Sequence, residues 1–278
     1  MIDFNKDFEK YLTAAYKRFA ERAKNAEEAE ELAADIFAEW ADAPNDGLSG
    51  GVSPRAYFQS LNNPEELAGL FGEACLQQSG SCPLLLDRMA EVDGCAAHLF
   101  GVVLEKGAAP ALKIAAAAFL NDLGVKPPVE AYARMLADSG TSPELADLCI
   151  EALCAYAPEA APFLWELAET AREREKTYCA EVLLCAQRDE RTYRLLADLF
   201  ENGQNRPLYA WYLGKYGDER AAEILYKKLD TCNYAEYSEI KNAIERMGGC
   251  VEDTRDFSED ADYIKIKGAN YYAEKKRR

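Results

Sequence analysis

The feature that most constrains this chain is an internal repeat with a step of thirty residues in its C-terminal half. Four segments align on one another at this step: 148–161, 178–191, 208–221 and 238–249. Apolar residues then fall into three columns: Ile150, Ala180, Ala210 and Ile240; Leu153, Leu183, Leu213 and Ala243; and Cys154, Leu184, Gly214 and Ile244. The columns are spaced i, i+3 and i+4, which predicts the buried stripe of an amphipathic helix.

A second set of segments recurs at about the same step and lies between the first: 161–169, 191–200 and 221–229. Each repeat unit is therefore predicted to contain two short helices joined by a tight turn. A single pair of this kind cannot bury its apolar faces alone, so neighbouring units must stack.

In period and pattern, residues 109–249 resemble the HEAT-like α-solenoids, in particular the class with short units that occurs in bilin lyases. The resemblance implies an all-α fold of the α–α superhelix type. It also implies a scaffold or binding surface, because members of such families share an architecture rather than a reaction.

The rest of the chain also has the composition and spacing of helices. Residues 3–24 and 27–40 predict two N-terminal helices, the second with an apolar stripe of Ile36, Phe37 and Trp40. We predict three parts: an atypical N-terminal helical cap at 1–62, HEAT-like helical repeats at 63–250, and an acidic-then-basic tail at 251–278. Alternating apolar and basic residues at 263–267 favour a short extended segment in the tail.

The charge balance limits the classes of partner. The chain has 32 Lys and Arg against 49 Asp and Glu, a formal net charge of −17. Such a charge repels nucleic acid and anionic membranes and favours a neutral or basic protein partner. The N-terminus has no signal-peptide pattern and residues 108–120 are too short to cross a bilayer, so no membrane association is expected. The nine cysteines, an odd number, favour free thiols in a reducing cytoplasm.

The candidate binding surface lies in the aromatic segment 208–217. Trp211 occupies a column in which the other units carry Glu151, Glu181 and Lys241. Exposed Trp and Tyr side chains are frequent anchors of protein interfaces. We therefore predict a protein-binding surface formed by Trp211, Tyr212, Lys215 and Tyr216. The alternative is that Trp211 packs under the C-terminal tail or on the next repeat, whereas Trp40 and Trp165 are expected in the core.

The recognisable catalytic and metal-binding patterns are weak. Residues 47–51 match Gly-x-Ser-x-Gly, but a predicted helix precedes them where a nucleophile elbow needs a strand. Cys75, Cys82, Cys95 and His98, the only histidine, offer donors that suit zinc. Cys75 and Cys82 are seven positions apart, however, and buried cysteine is a common core residue. We therefore predict no enzyme, no cofactor and no metal site.

The expected function is that of a non-enzymatic helical-repeat scaffold that binds another protein. One alternative is a nucleic-acid-associated protein resembling the HEAT-like DNA alkylation-repair enzymes, although Lys and Arg cluster only at 275–278, near Tyr271 and Tyr272. The other is a cofactor- or pigment-handling protein resembling the bilin lyases.

Overall fold

A computed structural model describes residues 2–22, 25–76, 81–252 and 255–266. Regular structure in these ranges is entirely helical, without a β-strand, which confirms the predicted all-α class. The chain divides into two compact units, residues 1–125 and 126–278.

The first unit contains the helices α1 (Phe4–Arg22), α2 (Ala26–Asp42), α3 (Pro54–Ser60), α4 (Pro64–Leu76), α5 (Pro83–Glu91), α6 (Cys95–Leu104) and α7 (Pro110–Asp122), with a 3-10 helix at Ser49–Gly51. Helices α1 and α2 confirm the two predicted N-terminal helices. Ile36 and Trp40 of the predicted stripe are buried, because α1 packs on this side of α2.

The end of the predicted cap at 1–62 packs on the helices that follow it. Helix α3 packs on both α2 and α5, and Arg88 of α5 donates to the Leu61 carbonyl oxygen at 2.8 Å. The first 62 residues thus share a core with the helices that follow, and the division by packing falls after Val125.

The second unit contains the helices α8 (Val129–Leu136), α9 (Pro143–Cys154), α10 (Ala157–Thr170), α11 (Glu173–Leu183), α12 (Glu190–Asn202), α13 (Arg206–Tyr216), α14 (Ala221–Leu229) and α15 (Tyr234–Arg246). Consecutive helices pack on each other, and so do most alternate ones, such as α9 on α11, α13 on α15 and α10 on α12, while tyrosine side chains of α13 reach α11. This unit therefore has two rows of helices, an odd-numbered and an even-numbered row, as expected for an α–α superhelix.

Burial within the odd-numbered row follows the repeat columns. Every member of the first two columns is buried: Ile150, Ala180, Ala210, Ile240, Leu153, Leu183, Leu213 and Ala243. The predicted core stripe is therefore confirmed. In the third column Gly214 and Ile244 are buried, whereas Cys154 and Leu184 are only half-buried.

Helices α13 and α15 approach each other closely at Gly214. A Cβ atom added to Gly214 would lie 2.7 Å from the Cα atom of Ala243 and 2.8 Å from its Cβ atom, which is shorter than any normal contact. The two smallest members of their columns thus face each other, and the missing side chain at Gly214 permits the contact.

The described part of the tail corrects one prediction. Residues 261–266 are helical and not extended. The Asp260 carboxylate accepts from the backbone N–H groups of Asp262 and Tyr263, at 2.9 and 3.1 Å, and so caps this turn. The basic residues 275–278 lie outside the described residues.

Candidate binding surface on the odd-numbered helices

Two exposed columns form one face of the odd-numbered row. The first contains Glu151, Glu181, Trp211 and Lys241, and the second contains Ala155, Cys185, Lys215 and Glu245. All are exposed except Lys241, which is half-buried. We call these eight residues the odd-row face.

Trp211 is the only large aromatic residue of this face. Its side chain is 36% exposed. Lys215, one turn further along α13, places its Nζ 5.2 Å from the centre of the indole ring, within the range of a cation–π contact. The indole therefore presents an open apolar surface next to a cation, and the prediction that Trp211 and Lys215 form a binding surface stays a prediction.

Tyr212 and Tyr216 do not belong to this surface, and their assignment to it is wrong. Their side chains are 2% and 5% exposed. The Tyr212 hydroxyl donates to the Glu181 carboxylate at 3.5 Å. The Tyr216 hydroxyl meets the backbone of Asp189, where it accepts from the N–H at 2.7 Å and donates to the carbonyl at 2.8 Å. Both rings therefore contribute to packing between α13 and the α11 region.

Tyr209 is the third buried tyrosine of α13, and the sequence analysis did not select it. Its hydroxyl donates to Glu173 at 2.7 Å and lies 3.0 Å from the Thr177 hydroxyl. Burial and the neighbouring Glu173 carboxylate together raise the pKa of Tyr209 to about 12. In turn, the Tyr209 hydroxyl and the Gln204 backbone N–H lower the pKa of Glu173. The i, i+3, i+7 spacing of Tyr209, Tyr212 and Tyr216 was the available signal, since it is typical of a buried stripe.

The other two tryptophans were expected in the core. Trp40 is buried, as predicted, and its indole N–H donates to Asp7 at 3.0 Å. Trp165 is only half-buried, and the Arg191 guanidinium lies over its ring, 3.5 Å from the ring centre. Its indole N–H donates to the buried Thr192 hydroxyl at 3.0 Å. Trp165 is therefore not the fully buried core residue that was predicted.

The weak catalytic and zinc patterns gain no support in the described ranges. Residues 47–51 form a turn and a 3-10 helix, and Ser53 then caps α3 by accepting from the Ala56 N–H. Cys82 and Cys95 are buried, and Cys75 lies 3.8 Å from the Ser81 hydroxyl. Among the described residues, no three His, Cys, Asp or Glu side chains converge as they would around a metal ion.

A cleft of about 680 Å³ lies in the first unit. Helix α1, Trp40 and the loop at 43–47 line it. Its charged lining is mixed, with two lysines and three aspartates: Asp3, Lys6, Asp7, Lys10 and Asp46. Since the Asp7 carboxylate already accepts from Trp40 and, at 2.8 Å, from Asn45, it serves to hold the loop against the helices.

Comparisons of the chain with protein-family models, curated proteins and solved structures give no match. None of the helices in the described part of the chain has the length and apolar character to span a bilayer. Fold and surface define a class, an all-α protein with packed neighbouring helices and an exposed tryptophan on the odd-row face.

Proposed function

We propose that this chain is a non-enzymatic helical scaffold of the HEAT-like repeat type, and that it binds another protein through the odd-row face centred on Trp211 and Lys215. The observation that carries the proposal is the exposure of Trp211. Its column holds charged residues at the other three positions, Glu151, Glu181 and Lys241, so the indole replaces a solvated side chain. A large aromatic ring with one open face is the residue type that dominates binding energy at interfaces.

The surroundings of Trp211 favour a neutral or basic partner segment. The net charge of the chain is −17, and Glu151 and Glu181 occupy the same exposed column. An acidic partner would be repelled over the whole approach, whereas a basic one is attracted. We place the protein in a reducing cytoplasm, which agrees with its nine cysteines, all free in this structure.

The test is an affinity purification of the tagged protein from its own host, in wild-type and Trp211→Ala form. Truncation of an anchor Trp costs about 2 kcal/mol or more, which weakens binding at least about 30-fold. A specific protein partner should therefore be recovered with the wild type and lost with Trp211→Ala. Lys215→Ala should weaken binding less, because it removes only the neighbouring cation.

Tyr226→Ala is the matched control. Tyr226 is 40% exposed, about as much as Trp211, but it lies on α14 in the even-numbered row. Its removal should leave partner recovery unchanged. Equal loss with both variants, or no loss with Trp211→Ala, contradicts the proposal. Recovery of nucleic acid or a pigment in place of a protein would support one of the two alternatives instead.

A further inference from the structure

We propose that Cys154 and Cys185 are a modification site, a thiol pair that a hydroperoxide converts into a reversible intramolecular disulfide. Cys154 is the last residue of α9, and Cys185 lies just after α11, thirty-one positions later. Their Sγ atoms are 3.1 Å apart. This inference does not depend on the proposed function.

The two thiols differ in access, which assigns them different roles. Cys185 is exposed, so it meets the oxidant first. Cys154 is half-buried, and its burial, together with the neighbouring Cys185 and Glu181, raises its pKa to about 12. Because the thiolate is the reactive form, the half-buried Cys154 is protected from direct attack on a dissolved oxidant. Its Sγ lies 3.1 Å from that of Cys185, which places it to attack an oxidised Cys185.

The balanced reaction has two steps. The Cys185 thiolate attacks one oxygen of hydrogen peroxide and the O–O bond breaks, which gives a sulfenic acid on Cys185 and hydroxide. The Cys154 sulfur then attacks the sulfenic sulfur, the S–O bond breaks, and hydroxide leaves and takes the Cys154 proton as water. In sum, two thiols lose two electrons and two protons, and one peroxide becomes two waters.

Three other cysteines differ from this pair in their exposure or in their neighbours. Cys149 and Cys179 are fully buried in the core, and burial raises the pKa of each to about 12. They are shielded from a dissolved oxidant. Cys250 is exposed like Cys185 but follows α15, far along the chain from the pair. Cys250→Ser is therefore a matched control for loss of an exposed thiol.

The experiment treats the reduced full chain with hydrogen peroxide, removes the oxidant, and alkylates the remaining thiols under denaturing conditions. Intact mass and non-reducing peptide mapping then follow. In the wild type and in Cys250→Ser, the oxidised chain should be 2 Da lighter before alkylation and should then take up two alkyl groups fewer than the reduced chain. Cys154 and Cys185 should both be unlabelled, and a dithiol reductant should restore both thiols. Cys154→Ser should retain an oxidised Cys185 without a cross-link, and Cys185→Ser should keep Cys154 reduced.

Three results would overturn the proposal: a cross-link between other cysteines, a disulfide between two copies of the chain, or stepwise addition of oxygen at Cys185 in the wild type without a cross-link. Circular dichroism of each variant before oxidation checks that the fold is retained. Since serine is close to cysteine in size and both positions are at least partly exposed, these variants should fold.

Discussion

Gly214→Ala is the substitution for which the structure gives the clearest expectation. The added methyl group would lie 2.7 and 2.8 Å from two atoms of Ala243, one of them the backbone Cα. A flexible side chain cannot relieve this clash by changing its rotamer, since alanine has none. Helices α13 and α15 must therefore move apart, and the buried contacts along both helices are disturbed.

Two opposing effects set how much Gly214→Ala changes the free energy of unfolding. Overpacking of a well-packed core costs about 1–3 kcal/mol. The same change raises helix propensity, which returns up to about 1 kcal/mol. We expect the free energy of unfolding to fall by about 1–2 kcal/mol, and the Tm to fall by about 3–6 °C for a unit of this size.

Gly69→Ala is the matched control, measured by the same thermal and urea unfolding followed by circular dichroism. Gly69 lies within α4 and an added Cβ meets no atom within 4 Å, so only the propensity gain of about 0.5–1 kcal/mol remains. The two variants should therefore shift stability in opposite directions. Adding Ala243→Gly to Gly214→Ala should restore part of the loss, because the contact to the Cα atom remains. If Gly214→Ala is as stable as the wild type, the close approach of α13 to α15 is refuted.

Two further predictions concern the tyrosine contacts. Tyr216→Phe leaves both backbone groups of Asp189 without the hydroxyl and should lower the free energy of unfolding by about 1–2 kcal/mol in urea unfolding; an unchanged midpoint would show that water replaces the hydroxyl. Glu173→Gln should destabilise by less than about 1 kcal/mol at pH 7. The folded state lowers the pKa of Glu173, so this contribution is present above the ordinary Glu pKa and lost as pH falls through the folded value. Unfolding curves of the two proteins should therefore converge below about pH 4, and a constant offset would contradict the assignment.

The sequence predicted which apolar positions of the repeats are buried, but not which polar side chains next to the core are buried and hydrogen-bonded. The columns of Ile150 and Leu153 are apolar throughout, so burial followed from spacing alone. Tyr212 and Tyr216 were assigned to the surface because a tyrosine can serve either environment. The partners that decide between them, Glu181 and Asp189, are twenty-seven or more positions away, and only the tertiary structure brings them to α13.

The same reason explains why the sequence did not predict the Cys154–Cys185 pair or the close contact at Gly214. Cys154 and Cys185 are not in one column, since the thirty-residue step pairs Cys154 with Leu184. Cys185 lies one position after Leu184 and beyond the end of α11, so the alignment of the columns does not pair the two thiols. Gly214 and Ala243 were each placed in a core column, but nothing in either column indicates that these two positions face each other.

At Trp211, a role in packing and a role in binding can be separated by experiment. Its neighbours at 209, 212 and 216 are buried and hydrogen-bonded, so their loss would damage packing as well as any surface. The Trp211 ring is over a third exposed and contacts Tyr212 with ring centres 5.6 Å apart. Truncation to alanine should therefore cost less stability than a core Trp, which loses about 3–5 kcal/mol. If urea unfolding shows a loss as large as that of a core Trp, Trp211 is a packing residue, and loss of a partner with Trp211→Ala would no longer identify the binding face.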